Sequence, residues 1–460
     1  MTTQFAITAV DVDLPKLGPQ RLRFTDHADA MSRSTILVGR NGTGKSTILR
    51  ELAMAFRAYF ATMKPSSRQG RDRVDLIAIS VNEQHAVLSL RSSSKEFREE
   101  REVITGRGLK PRRLIALSFT PFDKFPPADD TYRRDRPLVE DPFYVYLGFK
   151  NDYRSLSPRG RLLRSIDQLA FAESTPQADK RVVEAFAAIG YDPVIKITYE
   201  LDTARVRRSG YMDEAQMVAL EKRIEEFARA SGIKRKQLSY RFDFRYGRRD
   251  VTLPISFEEI RDLTRSGLFR LVSVTLDRVE GEPVELLELS SGELNLLSGF
   301  LGLAAFLEDG CLILIDEPEN SLHPEWQIRY VEMLETVLRQ HQGCHYVIAT
   351  HSPLIVSGVA DRNAKVLRLD QHPIEVPSEV LANASPDATL LNAFHTVTKG
   401  NNFLKQLVLE ALTLVETGEH HSSRALDIAN FLASKVEQIP HEDPLRELTA
   451  NVIQALLLPR

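Results

Sequence analysis

Gly39-Arg40-Asn41-Gly42-Thr43-Gly44-Lys45-Ser46 fills every fixed position of the pattern Gly-x-x-x-x-Gly-Lys-Ser/Thr. Just before it, Thr35-Ile36-Leu37-Val38 is a short apolar run that reads as a strand. Just after it, Ile48, Leu49, Leu52, Phe56 and Tyr59 recur at helical spacing between Ser46 and Ala61. Strand, glycine turn and helix therefore follow one another without a gap. Glycines allow successive backbone N–H groups to point inward and hold phosphates at the N-terminus of the following helix. In that arrangement Lys45 reaches the β- and γ-phosphates and the Ser46 hydroxyl ligates Mg²⁺. Gly39 through Thr47 are read as a nucleotide-binding turn, with ATP and Mg²⁺ as the expected cofactors.

The rest of the chain sets bounds on what this turn serves. Its 460 residues correspond to about three domains. With 43% hydrophobic and 27% charged residues the chain can bury a core, which excludes wholesale disorder. A net charge of −3 excludes a globally basic nucleic-acid binder while leaving room for a local basic patch. Cys311 and Cys344 are too few for a disulfide framework or a structural zinc site, and they suit a reducing cytoplasm. Neither a signal peptide nor an apolar run of about eighteen residues is found, so a cytoplasmic chain without a membrane partner is expected.

Residues 4 to 24 alternate apolar and polar positions around Pro15 and Gly18, as in an antiparallel strand pair. Further strands are expected over Val74 to Leu90 and Leu114 to Phe119. Residues 120 to 160, with Pro121, Pro126, Pro127, Pro137, Pro142 and Pro158, read as irregular and mobile. Helical periodicity returns at 160 to 190 and 211 to 232. In the latter, Met217, Leu220, Ile224 and Phe227 form either a core-facing stripe or a short coiled-coil arm. Over 234 to 249, Lys234, Arg235, Lys236, Arg241, Arg245, Arg248 and Arg249 interleave with Tyr240, Phe242, Phe244 and Tyr246. That alternation fits a strand with one solvated face, and it also fits a phosphate-contacting surface with stacking groups. Two strands within 271 to 289 precede a helix at 291 to 308, a strand at 311 to 315, a helix at 324 to 341 and a strand at 344 to 349. A helical tail runs from about 388 to 458.

Four more segments carry chemistry. Leu312-Ile313-Leu314-Ile315-Asp316-Glu317-Pro318 is an apolar strand delivering two adjacent carboxylates to its carboxyl end. Asp316 suits the Mg²⁺ shell and Glu317 suits polarising the water that attacks the γ-phosphate. Leu289-Ser290-Ser291-Gly292-Glu293 opens a helix with Ser290 as its N-cap, which is either a routine capped helix or an anion site. Glu319-Asn320-Ser321-Leu322-His323-Pro324 follows the acidic pair. Ala349-Thr350-His351-Ser352-Pro353 ends the next strand and offers an imidazole that can hydrogen-bond a γ-phosphate.

In this order the motifs resemble the ABC-type ATPase heads of the RecF/SMC/OLD-like branch. The stretch from Asp316 to Pro353 is similar to AAA-annotated ATPase subunits of bacterial anti-phage systems of the Septu, retron-associated and PARIS types. The resemblance covers roughly a third of the chain. It implies an α/β P-loop NTPase of ABC-ATPase type with a mixed sheet, split by an α+β insertion and ending in a helical tail. The implied boundaries are 1–120 and 269–372 for the head, 121–268 for the insertion lobe and 373–460 for the helical region. It further implies a head-to-tail dimer sandwiching two ATP molecules. Ser290, Ser291, Gly292 and Glu293 of one copy would then face the γ-phosphate held by Lys45 of the other. Glu317 would be the catalytic base, His351 the γ-phosphate sensor, and Asn320 and Ser321 would lie at the dimer seam. The glutamine such heads place between P-loop and signature is not evident. Thr120-Pro121-Phe122-Asp123 stands after the strand at 114 to 119, so either Asp123 or a neighbour replaces it or the coupling between the lobes differs.

Beyond Pro353 there is no Asp-x-Asp element of the kind an OLD-type nuclease needs, and His420-His421 lacks metal-ligand spacing. The resemblance thus points to an anti-phage ATPase subunit that forms homo-oligomers and controls a separate effector such as a nuclease. The alternatives are a RecF-like repair ATPase that binds DNA and, last, a transporter ATPase subunit.

Overall fold

The computed structural model describes residues 3–25, 32–60, 74–89, 109–120, 122–127, 143–149, 176–202, 214–230, 237–245, 248–249, 269–338, 341–359, 364–370, 373–381 and 384–457. These fall into two compact units. One comprises Met1–Tyr146, Glu308–Glu332 and His341–Arg460, and the other Leu147–Leu307 with Met333–Gln340.

The first unit opens with β1 (Phe5–Leu14), β2 (Gly18–Arg23), β3 (Ser32–Val38) and α1 (Lys45–Phe60). It continues through β4 (Val74–Val81), β5 (Gln84–Ser89), β6 (Leu114–Ser118) and β7 (Tyr144–Leu147). The second unit carries α2 (Pro176–Ala188), β8 (Tyr191–Leu201), α3 (Glu214–Ala230), β9 (Gln237–Asp243), β10 (Arg248–Arg249), β11 (Phe269–Arg278), β12 (Val284–Glu285) and α4 (Ser291–Phe306). After it come β13 (Leu312–Asp316), α5 (Pro324–Leu338), β14 (Cys344–Ala349), α6 (Pro353–Val359), β15 (Lys365–Arg368) and β16 (Ile374–Val376). The chain ends in α7 (Ser378–Leu381), α8 (Pro386–Ala393), α9 (Asn402–Glu416), α10 (Ser423–Lys435) and α11 (Pro444–Leu456).

The main sheet has the order β16-β15-β3-β14-β13-β6-β7. Its five strands from β15 to β6 run parallel, so the turns after β3, β6, β13 and β14 open at one end of the sheet. That common carboxyl end is where open α/β sheets bind ligands. β13 and β14 are buried along their whole length, as parallel strands covered on both faces must be. Ile48, Leu49, Leu52 and Phe56 of α1 share a core cluster with Leu37, Leu114, Leu312, Leu314 and Val347, which anchors the glycine turn to the sheet. A separate antiparallel sheet, β2-β1-β4-β5, contributes Phe5, Ile7, Val10 and Ile77 to the same cluster. In the second unit β10-β9-β8-β11-β12 forms an antiparallel sheet. The architecture is the expected mixed α/β one, with a parallel-rich sheet, an α+β unit between its two chain segments, and a helical tail.

Two readings are corrected in detail, and one pair of alternatives is narrowed. β7 lies inside the stretch 120–160 expected to be irregular, where Tyr144, Tyr146 and Leu147 are buried despite the surrounding prolines. Residues 128–142 and 150–160 of that stretch lie outside the described residues, so its expected mobility does too. In α3, Leu220 and Ile224 are buried, in keeping with the core-facing stripe, while the side chains of Met217 and Phe227 lie outside the described residues. His420 and His421 sit in the turn between α9 and α10 rather than on a helix.

His345 on β14 joins the two sheets of the first unit. Its Nδ1 accepts the Ile7 N–H of β1 at 2.9 Å, so the ring proton is on Nε2. Nε2 therefore donates to Thr35 Oγ1 of β3 at 3.0 Å, and that hydroxyl donates to the Phe24 carbonyl at 2.8 Å. Each polar atom is matched, provided the imidazole stays neutral. Burial, helped by the nearby Arg33 charge, lowers its pKa from 6.5 to about 3. The unfolded chain thus binds a proton that the folded chain refuses between pH 6.5 and about 3, and stability falls as pH drops through that window. The loss is on the order of 4 kcal/mol at its end. Chemical denaturation at pH 7 and pH 4.5 should show it, and His345→Gln should flatten the difference. An equally steep fall in the variant would remove His345 as the cause.

Candidate functional site

The glycine turn adopts backbone angles that side chains resist. Gly39 has φ 151° and Gly44 has φ 106°, and a Cβ on Gly39 would lie 2.8 Å from the Leu369 carbonyl oxygen. Lys45 is buried at 4% exposure beneath this turn. Its ammonium donates to the Gly39 carbonyl at 2.8 Å and contacts His351 Nδ1 at 3.1 Å. An ammonium only donates, so Nδ1 accepts and the imidazole proton sits on Nε2. Nε2 lies 3.7 Å from Glu317 Oε1. Glu317 Oε2 in turn accepts from Asn320 Nδ2 at 3.0 Å. Asn320, Glu317, His351 and Lys45 thereby line up across the ends of β13, β14 and β3, with a 3.7 Å gap between the imidazole and the Glu317 carboxylate.

Glu317 has φ 48°, a left-handed conformation that is costly for a side-chain-bearing residue. Strain of this kind, about 1–3 kcal/mol, gathers where surrounding structure over-determines a functional side chain. Its N–H is fixed by the Ala349 carbonyl at 2.9 Å. Asp316, one residue earlier, is 2% exposed and hydrogen-bonds Ser46, while its Oδ1 has no partner. Burial pushes its carboxyl up to about 7, with Glu317, Asp123 and Glu319 adding to the rise. Burial also lowers Lys45 to about 8, a shift opposed by Glu317, Glu319 and Asp316.

An orphaned buried carboxylate oxygen beside a serine hydroxyl suits a small hard cation, so Mg²⁺ fits Asp316 and Ser46. Among the described residues no group of three His, Cys, Asp or Glu could hold a metal by itself. Nucleotide-linked Mg²⁺ takes only one or two protein ligands and completes its shell with phosphates and water, which agrees with this pair.

The segment after β6 contacts the nucleotide-binding turn through Lys124 rather than Asp123. The Asp123 carboxylate is committed to Tyr146 Oη at 2.6 Å and to the Phe125 N–H at 2.9 Å. Its neighbour Lys124 reaches the nucleotide-binding turn instead, donating to Thr47 Oγ1 at 2.9 Å. Thr43 closes the turn on itself, its N–H and hydroxyl both donating to the Arg40 carbonyl. Arg40 and Asn41 are exposed, and Gly42 has φ 80°. Ser321, the other residue expected at a seam, is exposed at φ 67°.

Glu319 was not among the expected site residues. Its Oε1 accepts the His351 N–H at 2.5 Å and its Oε2 accepts the Thr350 hydroxyl at 2.8 Å. The signal in the sequence is the third acidic residue in Asp316-Glu317-Pro318-Glu319. Nothing local said which strand it would bind.

Ser290, Ser291, Gly292 and Glu293 belong to the second unit. Ser290 is the N-cap of α4, and with Glu293 it completes a capping box: Ser290 Oγ accepts the Glu293 N–H at 3.2 Å, and Glu293 Oε2 accepts the Ser290 N–H at 2.9 Å. Glu293 also accepts from Tyr191 Oη at 3.0 Å, which leaves Ser290 and Ser291 as the exposed members. In the basic-aromatic strand, Tyr240, Phe242 and Phe244 are buried and cannot stack on bases. Arg241 lies 3.9 Å from Asp277, and Arg245 pairs with Asp243 at 3.0 Å. The described part of the strand has a buried aromatic face and a solvated face carrying Arg241 and Arg245, and the side chains of Arg248 and Arg249 lie outside the described residues. Lys234, Arg235, Lys236 and Tyr246 lie outside the described residues.

No helix among the described residues is long and apolar enough to cross a membrane. Among solved structures, the chain is similar to the SMC head domain from Thermotoga maritima, at TM-score 0.33 and 12% identity over 82% of this chain and 99% of that one. It is also similar to cbiO1 of Clostridium perfringens, part of the ABC transporter complex cbiONQ, at TM-score 0.29 and 13% identity over 84% and 94%. The Smc head domain of Pyrococcus furiosus, with an extended coiled coil and bound to the C-terminal domain of ScpA, gives TM-score 0.32 and 12% identity over 82% and 97%. No curated protein matches the chain in sequence. Residues 34–357, which take in the glycine turn, the acidic pair and the His351 turn, match the family described as "AAA domain, putative AbiEii toxin, Type IV TA system". The chain belongs to this AAA-domain family of P-loop ATPases.

Proposed function

We propose that this chain is the ATP-binding and ATP-hydrolysing subunit of a bacterial anti-phage defence complex, pairing head-to-tail through ATP and controlling a separate effector, most simply a nuclease. The carrying observation is the convergence of Lys45, Asp316, Glu317 and His351 on one end of the parallel sheet. Lys45 and the turn from Gly39 to Thr47 would bind the phosphates, and Glu317 would accept a proton from the attacking water. His351 stands between the two, placed to report the γ-phosphate to the base. Ser46 and Asp316 would hold Mg²⁺, which supplies charge neutralisation on the β- and γ-phosphates when bound. The exposed corner at Ser290 and Ser291, at the N-terminus of a sixteen-residue helix, suits the partner copy's γ-phosphate. Asn320, read as a seam residue, would also orient Glu317.

The family's description, which names an AbiEii toxin and a type IV toxin–antitoxin system, is in keeping with a defence setting. The test joins two assays: ATP turnover by the purified protein, and plating of phage on cells that carry the gene with its neighbours. Turnover with reduced plating is the expected result. Turnover without any effect on plating would sink the defence reading and leave the ATPase reading standing.

A further inference from the structure

We infer that Glu319 is a positioning residue for ATP hydrolysis, fastening the turn after β14 to the turn after β13 so that the His351 imidazole stands between Lys45 and Glu317. The inference rests on the proposed ATPase reading and deepens it. A carboxylate beside Asp316 and Glu317 adds a third negative charge where a triphosphate is to bind; such a charge weakens binding, so its presence there calls for another task. Its hydrogen bonds identify that task. Both oxygens are used, and both go to the same turn, 31 and 32 residues further along the chain.

Other contacts hold the neighbouring backbone but stop short of His351. The Thr350 N–H donates to the Leu37 carbonyl at 3.1 Å, and the Ala349 carbonyl accepts the Glu317 N–H. Glu319 takes the N–H of His351 itself. The Thr350 hydroxyl that it orients also accepts the Ser352 N–H at 2.9 Å. Ser352 Oγ then donates to Gln327 Oε1 at 2.6 Å and accepts the Leu354 N–H at 3.2 Å, at the start of α6. One carboxylate therefore fixes where the imidazole emerges and how the following helix begins. Burial raises its pKa, while the bonds from His351 and Thr350 pull it back.

Glu319→Ala removes both acceptors. Glu319→Gln keeps an oxygen for the His351 N–H and offers an amide proton to Thr350 Oγ1, so it preserves geometry without charge. The full-length protein is labelled with ¹⁵N-histidine, and His351 is assigned by its disappearance in His351→Gln. Glu319→Ala should lower kcat for ATP about 10²-fold, as misplacement by about an ångström does, while KM holds or falls with the loss of a negative charge. It should also move the His351 Nδ1 resonance away from its hydrogen-bonded position. Glu319→Gln should restore both. Thr350→Val, which removes one of the two bonds and no charge, should shift the same resonance in the same direction. The inference is overturned if Glu319→Ala leaves the His351 signals in place, or if Glu319→Gln is as slow as Glu319→Ala. A wild-type protein that does not hydrolyse ATP would defeat the proposed function, and the imidazole spectrum would still decide the positioning role.

Discussion

Lys45→Ala is expected to abolish ATP binding, raising Kd by about 10²-fold or more. The Lys45 ammonium is aimed by the Gly39 carbonyl and by His351 Nδ1 rather than by a carboxylate. It is therefore a charge held in place by neutral acceptors, ready to exchange one of them for phosphate oxygen. Charge-assisted hydrogen bonds of this kind contribute about 1.5–3 kcal/mol each, and a Lys between two phosphates makes more than one. Its removal does further harm. Asp316, Glu317 and Glu319 all act electrostatically on Lys45, and without it three carboxylates face the incoming triphosphate unopposed. Isothermal titration with ATP and Mg²⁺ measures the loss directly. The folded protein should tolerate the change, because burial already works against the charged form and lowers its pKa to about 8. An unchanged melting temperature with no detectable heat of binding is the expected pair of results. Binding within threefold of wild type would show that the turn does not hold phosphates through this side chain.

The parts of the site legible in the sequence are those whose chemistry needs contiguous residues. A turn that presents backbone N–H groups to phosphates requires glycines at fixed offsets, so Gly39 to Ser46 declares itself. A buried strand delivering an acid to its carboxyl end likewise shows as Leu312 to Glu317. What stayed hidden depends on contacts between distant residues. Nothing near Glu319 specifies that its carboxylate will meet Thr350 and His351. His345 reads as one polar residue in an apolar strand, yet its partners Ile7 and Thr35 lie 338 and 310 residues away. The strand from Gln237 to Asp243 is legible in the sequence only as a pair of alternatives. Alternating cations and aromatics match two physical situations equally well, and only the burial of Tyr240 and Phe242 separates them. Lys124 illustrates a third case. The missing glutamine was visible as an absence, but which neighbour would reach Thr47 was a matter of loop path, set by the anchoring of Asp123 on Tyr146.

Glu317→Gln should retain ATP binding and stop turnover. The substitution keeps the shape of the side chain and an oxygen to accept from Asn320 Nδ2, so the alignment through His351 to Lys45 can persist. What it removes is the capacity to take a proton from water. A positioned general base contributes about 10²- to 10⁴-fold, and kcat should fall by that factor. Affinity for ATP should hold or improve, since one negative charge beside the triphosphate is gone. The strained backbone at Glu317 should survive as well, because its N–H bond to the Ala349 carbonyl does not involve the side chain. With hydrolysis blocked, a nucleotide that bridges two copies cannot be discharged, and the variant should accumulate as an ATP-bound dimer. Native mass spectrometry of wild type and variant, each with and without ATP, separates the two parts of the claim. Doubled mass in the variant alone, carrying two nucleotides, is the expected outcome. Turnover at the wild-type rate would remove Glu317 as the base. Blocked turnover with a mass that never doubles would keep the base and reject the sandwich, so that Ser290 and Ser291 would have to serve something other than a partner's γ-phosphate.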